Sequence, residues 1–527
     1  MSKAQDMAKT SAKGSFHMLW GLIVSTLISS VGTIFIARLL ESDQYGLYTI
    51  VLTVPTLIIL FRDWGVNFAM TRFAAQYQAE GRTTEIRNIF VSGLIFEIAL
   101  GLMLSVTSFA LAGFVATNVF HRPEITSMIQ LAAFTVLASG LITTATAAFT
   151  GIEKMAYNSV MLVCQSIIKT TIIITLVVFG WGTSGAVIGY TSAMLIAGII
   201  GVSLMWILYR DLPKSPTPKL EIMAYIKTML TYGVPLSLSV IVLGFQTQFY
   251  AFLLPIYYIT DNTVIGNFGI AANFVVLITF FAIPITTMLF PAFSKLDHKK
   301  DNQTLKNVFQ FSIKYAALLV VPVAALVMSL SEPAVSTLFG NTYDTAPLFL
   351  ALLAITYLYT AFGSLSTGNL INSQGETKYN LKLSLITAAI GFPMGFILIM
   401  NFGVLGLIST TLVAGLPSLF ISLRWIKKRY GLTVDWRSSA KIIFSSATAA
   451  ALTYVLVTQL SFASWLRLGI GVVVFVLSFI LVTLLTRTIN REDVSNLRDM
   501  LSSIGPLRGL LNRLLDVLEK LMSLLKI

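Results

Sequence analysis

Six charged residues lie inside or at the rims of apolar runs, and they are the positions of this chain with chemistry to offer. Lys169 sits near the middle of Cys164-Gln165-Ser166-Ile167-Ile168-Lys169-Thr170-Thr171, with Gln165 one turn away. Glu97 interrupts the run around Phe96-Glu97-Ile98. Arg38 closes a run in Ala37-Arg38-Leu39-Leu40, Arg62 and Asp63 end the next one, and Lys314 stands near the start of a later one. An ionisable group at the centre of a bilayer costs roughly 2.5–3.5 kcal/mol on insertion scales, so each needs a partner, a wet cavity or a route to the interface. Lys169 lines a cavity, pairs with a structural partner, or snorkels; the nearby Gln165 favours the first. Glu97 pairs with Lys169, lines the cavity, or takes part in ion coupling. Arg38 either snorkels or meets cargo. Arg62 and Lys314 are near cytoplasmic ends, where orienting the chain is their default role. Asp63 beside Arg62 reads as a helix-end or lobe-contact pair ahead of a proton or sodium site.

Composition places these charges in lipid. The 527 residues are 56% hydrophobic and only 11% charged, with a mean hydropathy of +0.82, whereas a soluble domain carries roughly 25% charged residues. A spanning helix needs about 20 apolar residues, and about 14 runs of that kind can be marked between Phe16 and Thr486. In hydrocarbon every backbone donor and acceptor must be paired within the chain, so each run is a helix. The hairpin Phe16–Leu40, Glu41-Ser42-Asp43-Gln44, Tyr45–Val66 sets the pattern for the rest. The formal charge of +13 raises nucleic acid as a partner in a soluble protein. Here the basic residues alternate with nearly charge-free turns. Lys3, Lys9 and Lys13, then Arg72, Arg82 and Arg87, then Lys154, then Lys214, Lys219 and Lys227 fall on one side. Glu41-Ser42-Asp43, His121-Arg122, Trp181-Gly182 and Asp261-Asn262 fall on the other. That is the positive-inside pattern, with both termini cytoplasmic. No small-residue cleavage site follows the first lysines, so the first span is expected to stay as a helix.

The chain divides where polarity rises. Residues 1–210 hold six spans, 211–227 form a proline-bearing cytoplasmic linker, and 228–430 hold six more. Residues 431–488 add two further spans. Short matches recur between the two halves at an offset of about 220 residues: Gly46-Leu47-Tyr48 with Gly266-Asn267-Phe268, Tyr157-Asn158 with Tyr379-Asn380, and Gly182 and Gly185 with Gly403 and Gly406. An even number of spans per half makes the repeats parallel, related by an axis along the membrane normal. After the last span, residues 489–527 carry a leucine stripe from Leu507 to Leu525 with the spacing of an amphipathic helix, expected on the cytoplasmic surface of the membrane.

The Ala-Arg-Leu-Leu…Tyr-Gly-Leu-Tyr hairpin, the Asp63-Trp64-Gly65 stop, the duplicated six-span halves and the two extra spans resemble the polysaccharide flippases. These are the O-antigen and oligosaccharide repeat-unit translocases of the multidrug/oligosaccharidyl-lipid/polysaccharide exporter superfamily. The resemblance covers the chain to about Thr486. It implies an all-α membrane protein with two six-helix lobes, a central cavity, alternating access, and a polyprenyl-diphosphate-linked oligosaccharide moved from the cytoplasmic to the outer leaflet of the cell membrane. A diphosphate carries about two negative charges, and Arg or Lys is its natural partner at low dielectric. Arg38, Lys169, Lys314 and Arg62 are therefore the candidates for holding it, with Glu97 and Asp63 as ion-coupling or pairing candidates. The alternative is an ion-coupled multidrug or metabolite antiporter, but the first two spans hold no acid in their interior. A glycosyltransferase acting on the same lipid would want a large outer loop, and the outer loops are short. The chain has no Gly-x4-Gly-Lys-Ser/Thr phosphate loop, no His-Glu-x-x-His, and a single cysteine, Cys164. It is read as a non-enzyme without cofactor or metal, without nucleic acid, monomeric, and working beside glycan-assembly enzymes in a membrane.

Overall fold

The computed structural model describes residues 3–213, 221–282 and 301–489, together with 289, 293, 294, 296, 493, 494, 498, 516 and 519. The expected amphipathic helix within 489–527 and the centre of the 211–227 linker lie largely outside the described residues.

The described chain is all α-helix with connecting turns. The first helices are α1 (Lys3–Ile59), α2 (Val66–Ala79), α3 (Thr83–Phe114), α4 (Thr126–Ala132) and α5 (Phe134–Gly151). Next come α6 (Met155–Leu176), α7 (Gly182–Asp211), α8 (Ile222–Tyr257) and α9 (Asn262–Val275). Beyond these lie α10 (Asn302–Ser329), α11 (Ser331–Phe339), α12 (Ala346–Leu358) and α13 (Ser364–Ser373). The last four are α14 (Thr377–Ala414), α15 (Leu416–Tyr430), α16 (Trp436–Gln459) and α17 (Ser464–Leu485).

Ten apolar helical stretches are long enough to cross a membrane, and a bent pair, Ala346–Phe362 with Ser364–Ser373, makes one more. Three of the ten are double length: Trp20–Ile59, Met155–Asp211 and Thr377–Tyr430 have 40, 57 and 54 residues. At 1.5 Å per residue, 40 residues run about 60 Å, twice the hydrocarbon thickness. Each contains a backbone reversal of helical geometry: Glu41 at φ 57°, Gly180 at φ 86° and Gly182 at φ 49°, and Gly403 at φ 57°. Counted as pairs, these three bring the total to a number compatible with 14 crossings. Large apolar side chains such as Val106, Phe179, Trp206 and Leu477 are more than half exposed. Lipid is their solvent.

The helices form two compact units: residues 1–269 with 392–407, and residues 270–391 with 408–527. In the first, the core joins Met70, Phe90, Phe149, Met161 and Met205 from α2, α3, α5, α6 and α7. Between lipid-soluble helices the hydrophobic effect supplies little, so close approach through small residues must do more. The α1–α6 seam shows this. Gly21 packs on Ser159 and Gly32 on Thr170 so closely that a Cβ at either would overlap its neighbour. At the turns near Glu41 and Asp261, Gly46 lies against the carbonyl of Asn262, while Gly266 lies against the carbonyl of Ser42. Repeat-equivalent residues thus meet reciprocally, and Asn262 Nδ2 donates to Asp43 Oδ1 at 3.1 Å. Buried Arg122 closes the same region by donating to the carbonyls of Ile259, at 2.9 Å, and Tyr258. Its burial pulls the guanidinium below the ordinary arginine value, against the fields of Glu124, Asp43 and Asp261.

The second unit has its own core of Phe293, Phe309, Ile371, Ile426 and Tyr430. A further cluster packs Tyr315 and Val321 of α10 against Ile442, Leu484, Ile489 and Val494.

Candidate functional site

The first polar cluster grows from the break after α1. The chain turns through Arg62-Asp63-Trp64-Gly65, and Gly65 takes φ 81°, a left-handed value that favours glycine. Asp63 Oδ1 accepts the N–H of Gly65 at 2.9 Å and of Asn67 at 3.4 Å, satisfying donors left free where α2 begins. Asp63 is therefore a helix-end cap and forms no ion pair with Arg62.

Arg62 turns inward and pairs with Glu97 of α3. Both side chains are buried, at 3% and 0% exposure. Asn67 Nδ2 donates to the other Glu97 oxygen at 2.7 Å and reaches Thr143 Oγ1 at 3.4 Å. Gly140 makes room, since a Cβ there would lie 3.2 Å from the guanidinium and 3.3 Å from the carboxylate. The Glu97–Lys169 pair, one of the alternatives open in the sequence, is not formed. Lys169 is on α6, and the azimuth of α3 turns Glu97 toward the α1–α2 break instead.

Lys169 is half-buried in the α1–α6 seam. Its Nζ lies 3.4 Å from Ser29 Oγ, and Ser29 donates to Ser166 Oγ at 3.2 Å. Among the described residues Lys169 forms no ion pair. Gln165, the polar neighbour noted in the sequence, sits 2.9 Å from Met194 Sδ. Arg38 is exposed, continuing the exposed stripe of Leu27, Val31 and Phe35 on α1.

In the second unit Lys314 of α10 donates to both oxygens of Asp493 at 2.7 Å, and Tyr315 Oη donates to Asp493 at 3.2 Å. Of the four cations expected at a diphosphate, Arg62 and Lys314 are thus tied to carboxylates, while Lys169 is not. Tyr250 packs its ring on Gly395 and receives a hydrogen bond from Gln246. Trp206 stacks on Tyr209 with ring centroids 5.3 Å apart. Sequence reading passed over Asn67, Thr143, Gly140 and Asp493. Asn67 carried a signal, an amide one turn past Asp63 in an otherwise apolar stretch. Asp493 carried none, being one of many charges after the last span.

Comparison with known proteins gives this geometry a setting. The family model described as polysaccharide biosynthesis protein matches residues 11–297. The lipopolysaccharide biosynthesis protein WzxC of Escherichia coli is 22% identical over 409 residues, 72% of this chain and 77% of that protein. The probable low-salt glycan biosynthesis flippase Agl15 of Haloferax volcanii is 20% identical over 233 residues, 44% of this chain and 49% of that protein. Among solved structures, the lipid II flippase MurJ in an inward closed conformation superposes with a TM-score of 0.68 at 17% identity, covering 90% of this chain and 98% of MurJ. An inward-facing multidrug resistance MATE family transporter of the MOP superfamily superposes with a TM-score of 0.58 at 15% identity, covering 79% and 98%. These likenesses fix the fold as the polytopic all-helical one shared with MurJ and the MATE family transporters.

Proposed function

The chain belongs to the polysaccharide biosynthesis protein family, and from that premise we propose that it is a secondary transporter of a polyprenyl-diphosphate-linked oligosaccharide. It moves the glycan from the cytoplasmic to the outer leaflet of the cell membrane by alternating access, with both termini in the cytoplasm. The observation that carries the reading is Lys169. Its ammonium lies deep in a span with one hydroxyl at 3.4 Å and no carboxylate among the described residues. A cation kept in low dielectric without a counter-charge is costly unless an anion arrives. A diphosphate supplies that anion, and Arg38 on the exposed face of α1 is the second cation offered to it. The polyprenyl tail stays in the bilayer while the head group crosses. In this reading Glu97, engaged by Arg62 and Asn67, is the structural partner of Arg62.

The test is translocation of a fluorescent-headgroup polyprenyl-diphosphate saccharide in proteoliposomes, with and without an imposed ion gradient. Loss of one charge-assisted contact worth about 1.5–3 kcal/mol slows flipping roughly 10- to 100-fold. Lys169→Ala is expected to show that loss and Lys169→Arg to keep most of the rate. Full flipping by Lys169→Ala and Arg38→Ala together would end the cationic-site reading. Movement of a cationic dye, with the lipid left in place, would establish the antiporter alternative.

A further inference from the structure

We propose that the cytoplasmic face of the first unit carries a separate docking site for the phosphate of an anionic lipid, held by Arg72 and Lys227 over the ring of Tyr232. An open surface groove lies between α2 and the start of α8, lined by Phe73, Lys227, Thr228, Thr231 and Tyr232. The Arg72 guanidinium lies 4.2 Å from the centroid of the Tyr232 ring and 5.4 Å from that of Phe73. Phe73 and Tyr232 meet edge to face at 5.7 Å, so the ring under the arginine is held in place.

The charge arrangement points to an anion. Arg72 and Lys227 are exposed, and neither forms an ion pair among the described residues. Nearby Arg82 also lies over a ring, 4.7 Å from Tyr77, but it is neutralised by Glu80 at 2.9 Å and Glu85 at 3.0 Å. Orientation of the chain asks for cations on this side. It does not ask for a rigid ring beneath one of them or a groove beside the other. Stacking on Tyr232 occupies the guanidinium face and leaves its N–H edge for a phosphate, which an arginine and a lysine can hold together.

Depth points to a lipid as the bearer of that phosphate. Tyr232 lies about three turns into α8, just past Lys227, where the helix passes from its polar start into its apolar run. At the cytoplasmic end of α7, Trp206 and Tyr209 stack as an interfacial pair, and Arg87 lies 4.3 Å above Tyr209. Aromatic rings capped by arginines are the composition of a headgroup layer. The site is distinct from Lys169 and does not depend on what Lys169 binds.

The experiment is native mass spectrometry of the full chain with titrated phosphatidylglycerol, polyprenyl diphosphate, phosphatidylcholine, or free pyrophosphate as competitor. Wild type is expected to retain phosphatidylglycerol, polyprenyl diphosphate or both over phosphatidylcholine. Arg72→Gln with Lys227→Gln is expected to weaken that binding at least 10-fold, while Arg82→Gln leaves it unchanged and the melting temperatures of all three stay together. Loss for one of the two lipids alone supports the site and identifies its ligand. Unchanged binding in the double variant, an equal loss in Arg82→Gln, or displacement by equimolar free pyrophosphate would each overturn it. Lys169→Ala, included in parallel, separates this site from the transport site, because binding here is expected to survive that substitution.

Discussion

At the scale of single residues, the buried Arg62–Glu97 pair shows what one-dimensional depth can and cannot reveal. Pairing with Lys169 was one of the three roles that sequence reading left open for Glu97. The side of each helix on which a residue falls decided otherwise, and no apolar stripe in α3 is sharp enough to reveal it. Removing one member of a buried pair leaves the other charge uncompensated, at a cost of about 3–5 kcal/mol, whereas replacing both by apolar groups is often neutral. Arg62→Met and Glu97→Leu singly are therefore expected to lower the melting temperature in detergent sharply. The double variant is expected to recover most of it. Independent, additive losses would mean that each residue acts through other neighbours. The positions of Lys169 and Arg38 as cationic residues were legible, since a charge in an apolar run stands out whatever its partners. The commitment of Lys314 to Asp493 was not, because the two are far apart in sequence and Asp493 lies in a polar segment.

Elements carry the duplication more faithfully than side chains do. The sequence matches at an offset of about 220 residues were short, yet they fell on positions where geometry leaves little choice. Gly182 has φ 49° and ψ −135°, and its equivalent Gly403 has φ 57° and ψ −128°. Each joins two spans by a kink that L-residues avoid, so both halves keep glycine there for the same steric reason. Gly46 and Gly266 are matched likewise, each against the other's turn. What the sequence concealed was the length of the helices. The turn predicted at Glu41 is there and another lies at Gly403, but both are bends so tight that helix resumes on either side at once. Gly403 is also roofed by the Tyr257 and Tyr258 rings. Gly403→Ala is expected to cost about 1–3 kcal/mol through backbone strain alone. Gly469→Ala, in α17 with nothing within 4 Å, is expected to be neutral or to stabilise by about 0.5–1 kcal/mol. Thermal unfolding of the two variants beside wild type reads the difference, and equal melting temperatures would refute the strain assignment.

For the whole molecule, the number of crossings and the sidedness of the loops are one question. A bilayer of about 30 Å cannot contain the 40 residues of Trp20–Ile59 as one upright helix. Glu41 must therefore turn the chain back, and its neighbour Asp43 must emerge on the side opposite to the basic loops. Applied at Gly182 and Gly403, the same reasoning predicts Trp181 and Asn401 on Asp43's side and Lys154, Arg210 and Lys427 on the other. Charge counting predicts this alternation from the loops, and the three breaks, whose residues carry no basic charge, are compatible with it. The single native Cys164 makes the arrangement open to labelling. In a Cys164→Ser background, cysteines at Asp43, Trp181 or Asn401 are expected to react with a membrane-impermeant maleimide from outside the cell. Cysteines at Gln78, Lys154 or Lys378 are expected to react only after permeabilisation. If Asp43→Cys and Gln78→Cys were labelled from the same side, the hairpin at Glu41 would be a bend within one crossing. The repeat would then lose its register, and Lys169 would no longer lie in the membrane at the depth on which its role in holding a diphosphate depends.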